Sequence, residues 1–516
     1  MKSPRTVLPI LLGLLAVVAL ISCRDERPAP PAPSPLPSPS VEPAPPSAFS
    51  ATVPAPKTSA RGVEEAMPDE GPLDVKIASD AKEGSLRFSE VLPRILAHYP
   101  ELRMRHARVD EAVAMQSMAV AGFLPRLQAR MGWDRTDSPV GVFMDKLQQR
   151  TFQQEDFQVN TLNRPKARED FHGALRLEFP LFDAFQTIAA SRTAGHNLKS
   201  VRDRERHGRA EAALLAIEAW LQVGRADCCE AMAKESLARV RRDLAEAESL
   251  RDQGLVLGAD FFAARVAAAA LEQRLNECVA ARAVARAALN VLQGEPPEKP
   301  FAVPAVSAPV PADPRPAKEW LEEALASRAD LLAARSAVEA QRSEVGRMKA
   351  RILPNISLFA EGADHTRAFE QHGSEYTVGG QVNIDLFDPA YGARIRTAEA
   401  RLKQVEQEEA ALRDGIATSI TQAAAHIEAT QRNLAVLDGA ARDSREAARL
   451  VRGLVRDSRK SIADLLAARS MQFEVERARA EARAESPAAR ARLAFLAGAL
   501  EGAVLDNLAQ HLDPAP

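Results

Sequence analysis

The sequence has few cysteines, few aromatic residues and no excess of charge of either sign. Four cysteines at irregular spacing in 516 residues exclude a small scaffold held together by disulfides. Aromatic residues make up 5% of the chain, a low share for the compact core of a globular enzyme. The 67 basic and 70 acidic residues give a formal net charge of -3, so the chain offers no basic field to attract nucleic acid.

The sequence also lacks the short patterns that carry common catalytic chemistry. No two of its nine histidines stand at zinc-binding spacing beside a carboxylate. A glycine-rich phosphate loop and a G-x-S-x-G elbow are both absent from the sequence. From these absences we expect that the protein is not an enzyme and holds no resident metal ion or cofactor.

The first residues have the pattern of a bacterial export signal. Lys2 and Arg5 precede an apolar run over 7–21, which is short for a transmembrane helix and typical of a signal peptide core. The run ends in Leu-Ile-Ser before Cys23, as at a lipoprotein processing site. We therefore predict a signal peptide at 1–22 and a diacylglycerol on Cys23, with an ordinary signal peptide and an incidental cysteine as the alternative.

The residues after Cys23 do not have the pattern of a folded domain. Arg24 favours delivery to the outer membrane over retention at the inner membrane. Proline is frequent from Pro28 to Pro56, and a proline-rich stretch forms neither helix nor a strand ladder. We expect 23–84 to be a lipidated, extended tether.

Most of the remaining chain is a duplication. Three short motifs recur in the same order, at offsets of 204, 205 and 229 residues: Ala259–Arg265 with Ala463–Arg469, Leu181–Asp183 with Leu386–Asp388, and Leu124-Pro125 with Leu353-Pro354. We predict a first repeat at 85–295, a proline-rich linker at 296–316 and a second repeat at 317–510. Each repeat should contain a helix, a strand, a loop, a strand, a very long helix, a break and a returning helix.

The long helices are indicated by apolar residues spaced three and four positions apart. The segment from Ala390 to about Arg456 has no proline and predicts a helix on the order of 100 Å long. The segment from Asp183 to about Asp252 has the same pattern, and breaks follow at 253–258 and 457–460. Returning helices to Leu292 and about Leu508 would complete two antiparallel coiled-coil hairpins.

The strands have one apolar and one polar side. Apolar or small residues alternate with polar ones from Tyr376 to Leu386, and similar alternation follows Leu124-Pro125 and Leu353-Pro354. Such strands fit a membrane β-barrel, although a soluble hairpin with one buried face remains open on the strands alone. Because lipid does not tolerate open sheet edges and four strands cannot enclose a pore, several copies would have to share one barrel.

These marks together resemble the TolC-like outer membrane efflux protein family. The segments that carry the resemblance precede or follow the strands or open the returning helices: Ala121–Pro125, Ala350–Pro354, Phe179–Asp183, Ile384–Asp388, Ala259–Arg265 and Ala463–Arg469. The resemblance implies a mainly α fold in which long antiparallel coiled coils form a helical barrel. It also implies a homotrimer in which four strands per subunit complete a twelve-stranded transmembrane barrel.

The resemblance further implies a function and partners. The chain would be the exit duct of a tripartite efflux or secretion system, anchored to outer membrane lipid with its helices in the periplasm. It would dock a periplasmic adaptor and, indirectly, an inner-membrane pump of the RND or ABC type. The alternative is a periplasmic adaptor or a structural coiled-coil lipoprotein.

The resemblance also suggests site residues. Asp464 matches a family position that narrows the periplasmic end of the tunnel, and Asp260 is its counterpart in the first repeat; Ala467 stands where some members carry a second aspartate. The alternative is that both aspartates are ordinary solvated residues of a helix. The expected adaptor contacts at the two helix breaks are Gly254, Gly258, Arg456, Arg459 and Lys460. The alternative for the three basic residues is that they only keep the turn soluble.

Two further features are left open by the sequence. Folding about the break near Gly254 brings Cys229 and Cys278 to similar heights, so they either pair or remain buried free thiols, the preferred interpretation. The long segment at 136–170, with Phe143, Phe152 and Phe157, is expected to be an extracellular loop that caps the barrel.

Overall fold

The computed structural model describes residues 86–254, 256–303, 315–367, 372–457 and 459–513. All of them belong to one compact unit, Gly71–Pro516. The expected signal peptide, Cys23 and the tether lie outside the described residues. Those assignments, and the boundaries of the predicted domains, therefore stay predictions.

The two repeats share one order of elements, except for two short helices between the strands of the first repeat and a final helix after the second. In the first repeat the elements are α1 (Phe88–His98), α2 (Pro100–Ala121), β1 (Arg126–Thr136), α3 (Pro139–Gln148), α4 (Val159–Asn163), β2 (Arg168–Asp183), α5 (Gln186–Asp252) and α6 (Gly258–Gln293). In the second they are α7 (Ala317–Ser327), α8 (Ala329–Ala350), β3 (Asn355–Thr366), β4 (His372–Asn383), α9 (Tyr391–Arg456) and α10 (Ile462–Leu496), followed by α11 (Gly502–Leu512).

The two long helices are confirmed. Helix α5 has 67 residues and α9 has 66, so each is about 100 Å long at the usual rise per residue. Helices of this length are stabilised mainly by packing of their apolar positions, and α5 packs on α6 as α9 packs on α10. None of the helices in the described parts of the chain has the length and apolar character that crossing a membrane requires.

The buried core is divided into separate clusters along the helices. In one cluster Phe88 of α1 lies edge-on to Trp220 of α5, with ring centroids 5.8 Å apart, and both side chains are fully buried. A second cluster lies beside the hairpin turns and joins Phe261 of the first repeat to Ile462 and Leu465 of the second. The shared clusters hold the two repeats together.

The four strands form one antiparallel sheet in the order β1-β2-β3-β4. The β2–β3 pairing joins the two repeats, with His172 opposite His365. A register shift between Pro180 and Phe182 marks the end of the sheet nearer the long helices. The outer edges of β1 and β4 have no partner strand among the described residues.

The structure corrects the predicted ends of two elements and divides two helices that the sequence predicted as continuous. The returning helix of the second repeat ends at Leu496, not near Leu508, because Gly498 adopts a φ of +72°. A Cβ on Gly498 would lie 2.8 Å from the Cα of Arg328, so the chain turns where only glycine fits. Strand β4 ends at Asn383, before Leu386, and the first helix of each repeat is divided, at Tyr99 and at Arg328.

The long segment between β1 and β2 contains local structure rather than an open loop. Helices α3 and α4 flank a short 3-10 turn at Gln154–Phe157. Phe143, Phe152 and Phe157 pack edge to face, with successive ring centroids 5.0 and 5.1 Å apart. That this segment caps the barrel stays a prediction.

Candidate functional site

The sheet has two chemically different faces. Cross-strand partners lie on the same face of an antiparallel sheet, so the register assigns every strand residue to one side. One side, here the apolar face, carries the exposed residues Leu127, Met131, Trp133, Leu177, Phe179, Leu358, Tyr376 and Val378. The other, here the polar face, carries Gln128, Arg130, Asp134, Asp170, His172, Arg176, Glu178, Glu361, His365, Thr377 and Gln381.

No other element in the described parts of the chain covers the apolar face. Met131 is 84% exposed, Tyr376 85% and Val378 73%, although large apolar side chains such as these are usually buried. Soluble monomers rarely present a continuous apolar surface of this kind. The face therefore requires lipid or another protein against it.

The polar face forms its own ion pair and ring contacts. Arg176 of β2 donates to Glu361 of β3 at 2.9 Å and lies over the ring of Phe359, 4.5 Å from its centroid. These contacts cross from one repeat to the other on a face that is partly accessible to solvent. Charges so arranged suit an aqueous surface rather than lipid.

The first hairpin turn is closed by a glycine in the left-handed conformation. Gly254 has a φ of +75°, follows the C-cap of α5, and donates its N–H to the carbonyl of Arg251 at 2.8 Å. Gly258, the first residue of α6, has no atom within 4 Å of its Cβ position. Both glycines are exposed.

The second hairpin turn is closed by two backbone bonds to one carbonyl. The N–H groups of Arg459 and Lys460 both donate to Leu454 O, at 2.8 and 3.2 Å. Arg456 is exposed, with its Nε 4.0 Å from Glu246 of α5. Because residues next to both turns share one buried cluster, all five expected contact residues lie on the exposed turns at one end of the helical hairpins.

Asp464 has a structural role that sequence reasoning missed. It forms a capping box at the start of α10, in which Ser461 Oγ accepts from Asp464 N and Asp464 Oδ2 accepts from Ser461 N, each at 3.2 Å. Asp260 occupies the equivalent position in α6, but Leu257 stands at the cap and supplies no side-chain bond. The Ser-x-x-Asp spacing in the sequence was the available signal.

A buried ion pair near the turns was also missed. Arg469, the last residue of the repeated motif, donates from Nε to Asp243 Oδ2 at 3.3 Å, and the side chains are 4% and 3% exposed. Burial raises the pKa of the Asp243 carboxyl, while Arg469 and Arg452 lower it. The counterpart in the first repeat, Arg265, is exposed, so the pair breaks the symmetry of the duplication.

Cys229 and Cys278 form a disulfide that joins α5 to α6, with Cα atoms 5.7 Å apart. The preferred interpretation as free thiols was therefore wrong, because the antiparallel hairpin brings the two positions opposite each other. Cys228 remains a free thiol, and burial raises its pKa.

The fold and the two-faced sheet define a class of envelope protein built from two long helical hairpins and one membrane-type sheet. The sequence model of the outer membrane efflux protein family matches residues 91–295 and 320–499, and the chain belongs to that family.

Individual relatives agree with this assignment. The outer membrane efflux protein BepC of Brucella suis is 27% identical over 291 residues, which span 55% of this chain and 62% of BepC. The crystal structure of CusC superposes with a TM-score of 0.69 at 16% identity, covering 84% of this chain and 99% of CusC. The Campylobacter jejuni CmeC outer membrane channel gives a TM-score of 0.69 at 13% identity, covering 87% and 98%. At these identities the solved structures show a shared fold.

Proposed function

We propose that this chain is the outer-membrane exit duct of a tripartite efflux or secretion system, a passive conduit for substrates delivered by an inner-membrane pump. The observation that carries the proposal is the exposed apolar face of a sheet whose opposite face is charged. A strand with lipid on one side and water on the other has this composition. Family membership supports the same function.

The unpaired edges of the sheet support assembly from several copies. Backbone groups along β1 and β4 would be unsatisfied in lipid, so β4 of one copy must pair with β1 of the next until the sheet closes. A barrel of about eight strands has an interior filled by side chains, so two copies leave no bore. Three copies give twelve strands, and we propose the homotrimer.

The helical hairpins would extend the duct into the periplasm. Their turns carry the exposed residues expected to contact a periplasmic adaptor, and through it an RND- or ABC-type pump: Gly254, Gly258, Arg456, Arg459 and Lys460. Three Asp464 side chains, one from each subunit, would narrow the duct near these turns. Asp260, the counterpart in the first repeat, is the second candidate for this constriction. A lipid on Cys23 would anchor the N-terminal end of each chain to the outer membrane.

The proposal is tested with the full-length protein purified in mild detergent. Light scattering should give the mass of three chains, boiling should change migration on a gel, and planar bilayers should show stable single-channel currents. The alternative, a periplasmic adaptor or structural lipoprotein, predicts neither the currents nor the heat-modifiable trimer. A monomer that stays soluble without detergent and carries no current would overturn the proposal.

A further inference from the structure

Three potential metal-binding side chains meet on the polar face, near the ends of the strands that border the α3–α4 connection. They are Asp170 and His172 of β2 and His365 of β3, and their ligand atoms all lie within 4.8 Å of one another. Nothing in the proposed function uses them. Asp170 and His365 are 195 residues apart in the sequence, so no local spacing pattern reveals the cluster.

Both imidazoles turn the same nitrogen toward one carboxylate. Nδ1 of His365 is 2.7 Å from Asp170 Oδ2, and Nδ1 of His172 is 3.3 Å from the same oxygen. Asp134 of β1 is next to them, with Oδ1 3.5 Å from His172 Nδ1. Two nitrogens and two carboxylates therefore converge from three adjacent strands.

The strand register holds this arrangement in place. His172 is directly opposite His365, and Asp170 is directly opposite Asp134. Gly132, opposite His172 on the other side, provides space for the imidazole, because a Cβ there would lie 2.3 Å from His172 Nε2. Ligands on paired strands lose little conformational freedom on binding an ion.

The surroundings orient the central carboxylate and add negative charge. Gln149 donates from Nε2 to Asp170 Oδ1 at 2.8 Å and accepts from Arg168 Nε at 2.8 Å, an arrangement typical of the groups that orient metal ligands. Asp145 of α3 is 8% exposed, and its Oδ2 has no hydrogen-bond partner among the described residues. Asp170 and Asp134 repel the charge of Asp145, while Arg168 and His365 attract it, so a bound cation would add to the positive charge that these carboxylates already face.

We propose that Asp170, His172 and His365 bind a divalent transition-metal ion of the zinc class, with Asp134 or Asp145 as a further ligand. Imidazole and carboxylate together suit Zn²⁺, Ni²⁺ or Cu²⁺, whereas Mg²⁺ and Ca²⁺ prefer oxygen ligands alone. The bound ion would join β2 to β3, and its further ligand would add either β1, through Asp134, or α3, through Asp145. If the chain is the proposed duct, this site lies inside its outer mouth; metal binding itself does not depend on that function.

The test measures zinc on the full-length protein, prepared without a histidine tag. Protein in mild detergent is stripped with a chelator, incubated with Zn²⁺, freed of unbound metal and analysed by mass spectrometry for zinc per chain. We expect one ion per chain, and a drop in affinity of at least about tenfold in both His172→Ala and His365→Ala, since each removes a ligand. Co²⁺ in place of Zn²⁺ should give visible absorption that both substitutions abolish.

The chain offers a matched control. His372 lies at the same end of the sheet on the opposite face, with Nδ1 2.7 Å from Asp364, but it has no second imidazole beside it. His372→Ala should retain zinc like the unaltered protein, and heat-modifiable migration checks the assembly of every variant; His365→Gln replaces His365→Ala if the latter fails to assemble. An unaltered protein that retains no zinc, or equal retention in all variants, would overturn the proposal.

Discussion

At the scale of single residues, the buried pair of Asp243 and Arg469 has the largest energetic consequence. Both charges are removed from water, which costs several kcal/mol per ion, and their attraction offsets this cost only while both are present. The rise in the pKa of Asp243 reflects the same cost. The pair therefore connects α5 to α10, and replacement of either member alone should destabilise the hairpins.

Asp243→Ala should lower the stability of the helical hairpins by about 3–5 kcal/mol, because it removes the carboxylate that balances the buried charge of Arg469. The measurement is the midpoint of helix unfolding by circular dichroism in detergent. Glu446→Ala, which breaks the exposed pair with Arg449, is the control and should leave the midpoint unchanged. Equal midpoints for the two variants would contradict this account, and the double variant Asp243→Leu with Arg469→Met should recover most of the loss.

At the scale of elements, the alternation along the strands determines which side of the sheet can face lipid. Val378 and Thr377 are neighbours on β4, opposite Ala360 and Glu361 of β3 respectively. A shift of register by one residue would exchange the two faces completely. Adjacent substitutions therefore separate the chemistry of the face from the local effect of a change in the strand.

Val378→Arg should prevent assembly into the outer membrane, because an arginine on the lipid side costs about 2–4 kcal/mol near the bilayer centre. Thr377→Arg places the same side chain on the polar face, one position away, and should be tolerated. Heat-modifiable trimer recovered from membranes is the quantity to compare. Similar yields for the two variants would show that the apolar face does not contact lipid.

Periodicity predicted the elements better than their ends. The uninterrupted steps of three and four over α9, and the alternation along β4, identified both elements from the sequence. Strand β4 ends at Asn383, where its pairing with β3 ends opposite Asn355, and the turn at Gly498 lies against the distant backbone of Arg328, so local pattern misplaced both.

The residues of the candidate site also fall into two groups, those that the sequence pattern predicted and those that only the tertiary structure brings together. The exposed turn residues follow from helix breaks that are visible in the sequence. The pair of Asp243 and Arg469 is 226 residues apart and the cluster around Asp170 spans three strands, so both required the tertiary structure.

At the scale of the whole molecule, the open edges and the position of Asp464 have consequences only when several copies assemble. In one chain Asp464 is an exposed residue that caps α10. In the proposed trimer three such carboxylates would surround the axis near the hairpin turns, and a ring of acids attracts cations and repels anions. A test must separate this charge from the hydrogen bonds of the cap.

Asp464→Asn makes that separation, because an asparagine still accepts from Ser461 N but carries no charge. In planar bilayers it should lower the preference for cations and weaken block by polyvalent cations, while the unfolding midpoint of the helices stays unchanged. Asp464→Ala should show the same electrical change together with a lower midpoint, since a lost cap costs about 1 kcal/mol. Asp457→Asn, which neutralises an exposed acid in the same turn, is the control for position. The opposite outcome is that the two variants show the same ion selectivity and the same block by polyvalent cations. In that case the narrowest part of the duct lies elsewhere, and Asp464 serves only the helix that it caps.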